Sequence, residues 1–280
     1  MTTRIPHAGV IGWPISQSRS PLIHRYWLRQ HDLAGSYERI PVAPADIVPF
    51  LSTLRQQDLV GCNVTVPHKE AAFAAARRLD PVAKAVGAVN TLWFDGDTLC
   101  GGNTDAPGFL ANLDQRAPGW SHASGRAVVL GAGGAARAVI WALIDRGFKV
   151  AIVNRTLARA EDLASRFGAD STAHAWADLG ALLPAARLLV NTTSLGMAGK
   201  DDGEIDLTGL PIDALVTDIV YVPLITPLLA AARARGNRIV DGLGMLLHQA
   251  APGFEHWFGV RPSVTAELRQ LILADLGVVE

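Results

Sequence analysis

Three stretches of this chain carry polar side chains that packing alone does not explain. The first, Gly12-Trp13-Pro14-Ile15-Ser16-Gln17-Ser18-Arg19-Ser20-Pro21, directly follows an apolar run. The second is Asn63-Val64-Thr65-Val66-Pro67-His68-Lys69, where polar side chains alternate before a helical pattern begins. The third pairs Ala88-Val89-Asn90-Thr91 with Gly102-Asn103-Thr104-Asp105. Together they offer hydroxyls, amides, one ammonium and one carboxylate. That set suits a small polyhydroxylated carboxylate, and all three lie near predicted strand ends, where an open α/β sheet holds its ligands.

A fourth stretch, Val128-Val129-Leu130-Gly131-Ala132-Gly133-Gly134-Ala135-Ala136-Arg137-Ala138, reads as strand, glycine-rich turn and helix start. Gly131, Gly133 and Ala136 fill the G-x-G-x-x-G/A positions: a tight turn, a close backbone approach to a pyrophosphate, and close packing of helix on sheet. The helix N-terminus would hold the anion. An ordinary strand–turn–helix also uses glycines, but here a second strand follows, which is the context a dinucleotide site requires. At the end of that second strand an NAD site places Asp or Glu, about 20 residues beyond the glycines. This chain has Asn154-Arg155-Thr156 instead, with Arg159 one turn on. A carboxylate would repel a 2′-phosphate, whereas a guanidinium and a hydroxyl bind it, so NADP is the expected cofactor. On their own the two arginines would equally make a solvated basic face.

An ammonium held among hydroxyls and amides can stabilise negative charge on a substrate oxygen and supply a proton to it. Lys69 is the only lysine inside such a cluster. It opens a predicted helix, where a cation is unfavourable, so a plain surface role explains it poorly. Asp105 could hold the ammonium and a substrate hydroxyl, as a coupled pair with Lys69; it is also placed to cap the helix after Thr104. The eight histidines are scattered, without H-E-x-x-H or paired-cysteine spacing, so no metal site is expected. His24, Trp27, Trp141, Met245 and Leu246 read as packing in cores or on helix faces, with contact to a nicotinamide open to Met245 as well, and His68 reads as a residue that orients its loop.

The elements that must position these groups follow from apolar periodicity. Strands are expected at Ala8–Trp13, Tyr37–Val42, Gly61–Val66, Ala88–Phe94 and Thr98–Gly101, with helices at Ser20–His31, Pro44–Gln57 and Pro67–Leu79 and a short helical stretch from Pro81. A second series begins at Arg126. Its strands are expected at Ala127–Leu130, Lys149–Val153, Leu188–Asn191, Leu215–Asp218 and Ile239–Val240, and its helices at Gly133–Arg146, Leu157–Phe167 and Leu224–Arg235. Two closing helices, Leu243–Phe258 and Ser263–Leu276, leave the alternation and are expected to pack elsewhere. The fold class is α/β, with a doubly wound parallel sheet in the second series.

The chain has 280 residues, 25 basic against 26 acidic side chains, and 2 cysteines. Its length suggests two domains. A formal net charge of −1 shows no basic excess for nucleic acid. Two cysteines cannot staple a chain of this size, which suits a reducing compartment. Neither a signal-like apolar stretch at the start nor a run of about 18 apolar residues is present, so a cytoplasmic chain without a membrane partner is expected.

Read together, these stretches resemble the shikimate dehydrogenase family. The matching residues are Pro14-Ile15 with Ser18-Arg19-Ser20-Pro21, Asn63 to Lys69, Gly87-Ala88-Val89-Asn90-Thr91, Asn103-Thr104-Asp105 and Gly131 to Ala138. They continue through Asn154-Arg155-Thr156, Asn191-Thr192-Thr193, Asp218-Ile219-Val220-Tyr221 and Gly242-Leu243-Gly244-Met245-Leu246 with Gln249, in family order. Trp13 and Gln17 stand where the family more often has asparagine and histidine.

The resemblance implies NADPH-dependent, reversible reduction of 3-dehydroshikimate to shikimate, with quinate/shikimate or aminoshikimate enzymes and a non-catalytic binding module as alternatives. It implies that Ser18, Ser20 and Tyr221 bind the substrate carboxylate. Asn63, Thr65, Asn90, Asp105 and Gln249 would bind ring hydroxyls, and Lys69 and Asp105 would be the catalytic pair. The cofactor would lie against Gly131, Ala132, Gly133, Gly134 and Ala135, against Asn154, Arg155, Thr156 and Arg159, and against Thr192, Gly242 and Met245. Residues 1–104 plus 243–280 would form a substrate domain and 105–242 an inserted NADP domain, with the ligand held in a cleft between them. The partner is then a small-molecule substrate, and the protein a monomer or homodimer.

Overall fold

The computed structural model describes residues 5–122, 124–198 and 204–278. The chain divides into two compact units, Met1–Thr104 with Leu247–Glu280, and Asp105–Leu246. The expected crossing after Gly242 lies one helical turn before this division. Each unit is built around a six-stranded sheet.

In the first unit the strands β1 (His7–Gly12), β2 (Ser36–Pro41), β3 (Leu59–Val64), β4 (Arg78–Leu79), β5 (Thr91–Asp95) and β6 (Thr98–Gly102) take the order β2-β1-β3-β5-β6-β4. Here the sheet is mixed: β2, β1 and β3 run parallel, while β5 is antiparallel to both β3 and β6. The reason is local. Asp95-Gly96-Asp97 turns the chain directly back, with Gly96 at φ 57°, so no crossover helix intervenes. Helix α1 (Ser20–Gln30) starts with proline in its first turn, and α2 is Ile47–Ser52. α3 (Lys69–Ala75) and α4 (Pro81–Val86) follow.

Two expected helices are shorter than their apolar spacing suggests. The stretch Pro44–Gln57 breaks into 3-10 turns on either side of α2, where the Thr53 hydroxyl donates to the Pro49 carbonyl at 3.0 Å. The stretch Pro67–Leu79 ends at Ala75: Ala76 is extended, Arg77 N–H donates to Leu99 at 2.9 Å, and Arg78 and Leu79 join the sheet as β4. The core beneath packs Ile11, Leu51, Leu54, Val64, Val89 and Leu92.

In the second unit β7 (Arg126–Leu130), β8 (Lys149–Asn154), β9 (Ser171–Ala175), β10 (Ala186–Asn191), β11 (Leu215–Asp218) and β12 (Arg238–Val240) take the order β12-β11-β10-β7-β8-β9. All neighbours are parallel. The central strands are continuous Val, Leu, Ile and Ala runs, as burial on both faces demands. Edge strand β9, Ser-Thr-Ala-His-Ala, has no such run, which is why apolar periodicity misses it. The order reverses between β7 and β10, at the carboxyl ends where such sheets bind ligands. Helices α5 (Asp105–Arg116), α6 (Gly134–Asp145), α7 (Leu157–Phe167), α8 (Leu179–Leu182) and α9 (Pro227–Arg235) fill this unit. α10 (Leu243–Phe258) begins in it and continues into the first unit, which α11 (Ala266–Asp275) completes. Among the described residues no helix is long and apolar enough to cross a membrane.

Candidate active site

In the first unit, two loops that leave neighbouring parallel strands are fastened to each other. After β1, Trp13 N–H donates to the Val66 carbonyl at 3.1 Å, and after β3, Thr65 N–H donates to Ile11 at 2.9 Å. Gly12 lies so close to this junction that a Cβ there would meet the Thr65 methyl at 2.5 Å. The serine loop is braced from outside. Arg39 donates to the Ser18 carbonyl at 2.8 Å, while Arg19 donates to the Gln17 carbonyl and pairs with Asp275, both at 3.1 Å. Ser20 is buried at the start of α1, and Ser18 is half-buried.

His68 is buried, with Nε2 2.7 Å from the Val42 carbonyl; since that oxygen only accepts, Nε2 is the protonated nitrogen. It thereby orients the loop that delivers Lys69, the half-buried first residue of α3. The Lys69 carbonyl accepts from Val89 N–H at 3.0 Å, which ties α3 to the Asn90 stretch.

Asn63 and Asn90 sit in one buried polar network. Asn63 Oδ1 accepts from the Tyr37 hydroxyl at 2.6 Å, and its Nδ2 donates to the Asn90 carbonyl at 3.2 Å and to Thr91 Oγ1 at 3.1 Å. Asn90 Nδ2 donates to Thr104 Oγ1 at 3.0 Å and to Gln249 Oε1 at 3.1 Å. Its Oδ1 accepts from Thr104 N–H at 2.8 Å and from Thr91 Oγ1 at 3.0 Å. Because Gln249 Oε1 faces Asn90, the Gln249 NH2 is the group left to donate elsewhere. Asn63, Asn90 and Gln249, expected as site residues, therefore meet in the first unit. Tyr37 belongs with them, although its buried position in a strand pattern reads only as core.

In the second unit the glycine turn follows β7. Gly131 has φ 107°, and a Cβ there would lie 2.7 Å from Thr192 Oγ1 and 2.9 Å from the Thr193 methyl, so glycine is required on both counts. Thr192 is buried, and its hydroxyl donates to the Leu130 carbonyl at 2.6 Å. Gly133 and Gly134 are different: both are exposed, and a Cβ at either would meet nothing within 4 Å. Gly133 caps α6 with no side chain on the free N–H groups, and the first turn holds no acid. That is an open, positive helix end bare of side chains, the shape a pyrophosphate fits.

β8 ends in Asn154, whose Nδ2 donates to the Thr156 carbonyl at 2.8 Å. Arg155, Thr156 and Arg159 are exposed, and the Arg155 guanidinium lies 5.9 Å from the Trp176 ring centre. No carboxylate stands at the end of this strand, so the donor set fits a 2′-phosphate.

The ends of β10 and β11 are locked together through a buried acid. Asp218 accepts from Asn191 Nδ2 at 3.0 Å, Val220 N–H at 2.9 Å and Thr226 Oγ1 at 2.8 Å. Burial pushes its pKa up to about 6, against the pull of those three donors. This clamp sets the turn that leads to Tyr221, which is half-buried. Asp241 caps α10 by accepting from Leu243 N–H at 3.0 Å, and Asn112 Nδ2 donates to the Asp241 carbonyl at 2.7 Å. That fixes buried Gly242, Gly244 and Met245, and Gly244 packs so tightly on Asn112 that no side chain fits. Asp105 is buried at the first position of α5. Lys69 and Asp105 thus belong to different units.

Comparison with known proteins settles the family. The shikimate dehydrogenase substrate binding domain matches residues 10–92. The shikimate / quinate 5-dehydrogenase domain matches 113–197, and the shikimate 5′-dehydrogenase C-terminal domain matches 242–272. The shikimate dehydrogenase (NADP(+)) of Mesorhizobium japonicum is 63% identical over 270 residues, 96% of each chain. This chain belongs to the shikimate dehydrogenase family. Among solved structures, the shikimate 5-dehydrogenase of Thermus thermophilus in complex with NADP(H) and shikimate is 36% identical, with a TM-score of 0.86 over 96% of this chain and 99% of that one. Quinate dehydrogenase from Corynebacterium glutamicum, in complex with NAD, is 30% identical with a TM-score of 0.88 over 96% and 99%.

Proposed function

We propose that this chain catalyses the reversible, NADPH-dependent reduction of 3-dehydroshikimate to shikimate, a step of aromatic amino-acid biosynthesis. The observation that carries this reading is the full-length identity with the Mesorhizobium enzyme; the donor sets in both units agree with it. Residues 1–104 plus 243–280 act as the substrate domain and 105–242 as the NADP domain. The nicotinamide cofactor supplies the hydride in reduction and accepts it in oxidation.

The chain's own residues do the rest. The Lys69 ammonium donates a proton to the ketone oxygen as negative charge grows there, and takes it back in the oxidative direction. Asp105 holds that ammonium and a ring hydroxyl. Hydroxyls of Ser18, Ser20 and Tyr221 donate to the substrate carboxylate. Gln249 donates from its NH2, Asn63 accepts on Oδ1, and Thr65 and Asn90 complete the contacts to the ring hydroxyls. Gly131, Ala132, Gly133, Gly134 and Ala135 receive the pyrophosphate. Asn154, Arg155, Thr156 and Arg159 receive the 2′-phosphate end, and Thr192, Gly242 and Met245 line the remainder. The reading implies a cytoplasmic enzyme, monomer or homodimer, with neither nucleic acid nor membrane as partner.

Quinate is the second reading, favoured by the likeness to the Corynebacterium fold; the β8 end, with arginines in place of an acid, opposes the NAD half of that analogy. The test is shikimate-dependent reduction of NADP followed by absorbance. Turnover supports the enzyme reading. Tight shikimate binding without turnover on any cofactor would establish a binding module instead.

A further inference from the structure

Beneath Asn63 lies an aromatic stack that ends in a hydroxyl. Tyr37, on β2, is fully buried, and its ring lies flat on the His24 imidazole, with centroids 3.9 Å apart and planes 6° from parallel. Trp27, Phe254 and Trp257 enclose His24, with ring centres between 5.6 and 5.8 Å away. Burial pushes the His24 pKa down to about 3, so the ring is neutral and adds no charge under the site. The same burial holds the Tyr37 phenol well above its ordinary range, so the group stays a protonated donor.

The hydrogen-bond logic around Asn63 leaves one arrangement. The Asn90 carbonyl only accepts, so Asn63 must turn its NH2 toward it, and the second N–H goes to Thr91. Oδ1 then faces Tyr37, which must donate. With both N–H groups engaged, Asn63 can only accept, on Oδ1. The Tyr37 hydroxyl therefore touches a residue at the ring-hydroxyl end of the proposed substrate site.

We propose that Tyr37 is a positioning residue for substrate: its hydroxyl holds the Asn63 amide with Oδ1 presented as an acceptor, and so sets affinity at the ring-hydroxyl end of the site. This rests on the functional reading above. His24 and its aromatic neighbours act as the rigid seat for the Tyr37 ring.

The test is steady-state kinetics of the intact enzyme carrying Tyr37→Phe, which keeps the stack and removes only the hydroxyl. Loss of one neutral hydrogen bond predicts a roughly five- to tenfold rise in KM for shikimate, with a smaller fall in kcat and KM for NADP within about twofold. In an Asn63→Ala background the same change should add less than about twofold, because the partner through which it acts is gone. An unchanged shikimate KM, equal rises in both KM values, or the full effect in the Asn63→Ala background would each overturn the proposal. If Tyr37→Phe does not accumulate as folded protein, Thr91→Val removes the acceptor on the other side of the same amide. The same split between the two KM values is expected there, and its absence overturns the proposal. A parent enzyme that cannot reduce NADP with shikimate overturns the functional reading itself; an active parent with an unaffected Tyr37→Phe variant overturns only the role of Tyr37.

Discussion

Lys69 is the proposed proton donor, and its surroundings fix the loop that carries it. His68 anchors the loop to Val42, and the Lys69 carbonyl ties α3 to the Asn90 stretch. Removing the ammonium should therefore cost turnover far more than binding. Lys69→Ala is expected to lower kcat by about 10²- to 10⁴-fold, the usual worth of a positioned general acid, with a much smaller change in the shikimate KM. Near-normal turnover in that variant would remove Lys69 from the mechanism. At this scale the residues legible in the sequence were those whose chemistry is out of place where they stand. A lysine at a helix start and an asparagine on an otherwise apolar strand cannot be explained by packing. Tyr37 was not legible, because a buried tyrosine in a strand reads as core, and its partner Asn63 is 26 residues away.

The turn between β7 and α6 contains two kinds of glycine, and they separate folding from cofactor binding. Gly131→Ala forces a Cβ into Thr192 at positive φ, so it should lower Tm as well as activity. At Gly133, φ is −93° and the space is open, so Gly133→Ala should fold with the parent Tm while raising KM for NADP. Equal loss of Tm in both variants would contradict an empty cradle at α6.

The β10–β11 clamp makes a pH prediction. Asp218 has a pKa of about 6 when folded against 3.8 unfolded. Between about pH 4 and 6 the folded chain thus keeps a proton that the unfolded chain has released, and this group's contribution to stability falls as pH rises through that window. Relative to the parent, Asp218→Asn should gain Tm as pH rises from 4 to 6; a constant difference would show that Asp218 does not titrate there.

An element built on a long apolar run is legible nearly to the residue, as α10 illustrates. The elements missed lack that signal. β4 is two residues cut from an alanine-rich helical pattern, β9 is a polar edge strand, and the β5–β6 hairpin made the first sheet mixed because its turn is local.

Across the whole molecule, the near-neutral charge conceals where the functional charge lies. A net charge of −1 gives no basic excess for a nucleic-acid surface, while single cations, Lys69 in one unit and Arg155 and Arg159 in the other, are the groups proposed to meet a ketone oxygen and a phosphate. The chain leaves Asp105–Leu246 as one compact unit inserted into the other, so the two donor sets are encoded in separable stretches of sequence. One assay brings them together: kcat/KM for shikimate and for quinate, each with NADP and with NAD. Shikimate with NADP is expected to be the preferred pair. Replacing NADP by NAD should lower kcat/KM by at least about tenfold, the worth of one charge-assisted contact to the 2′-phosphate. Preference for quinate, or equal use of NAD, would contradict that expectation.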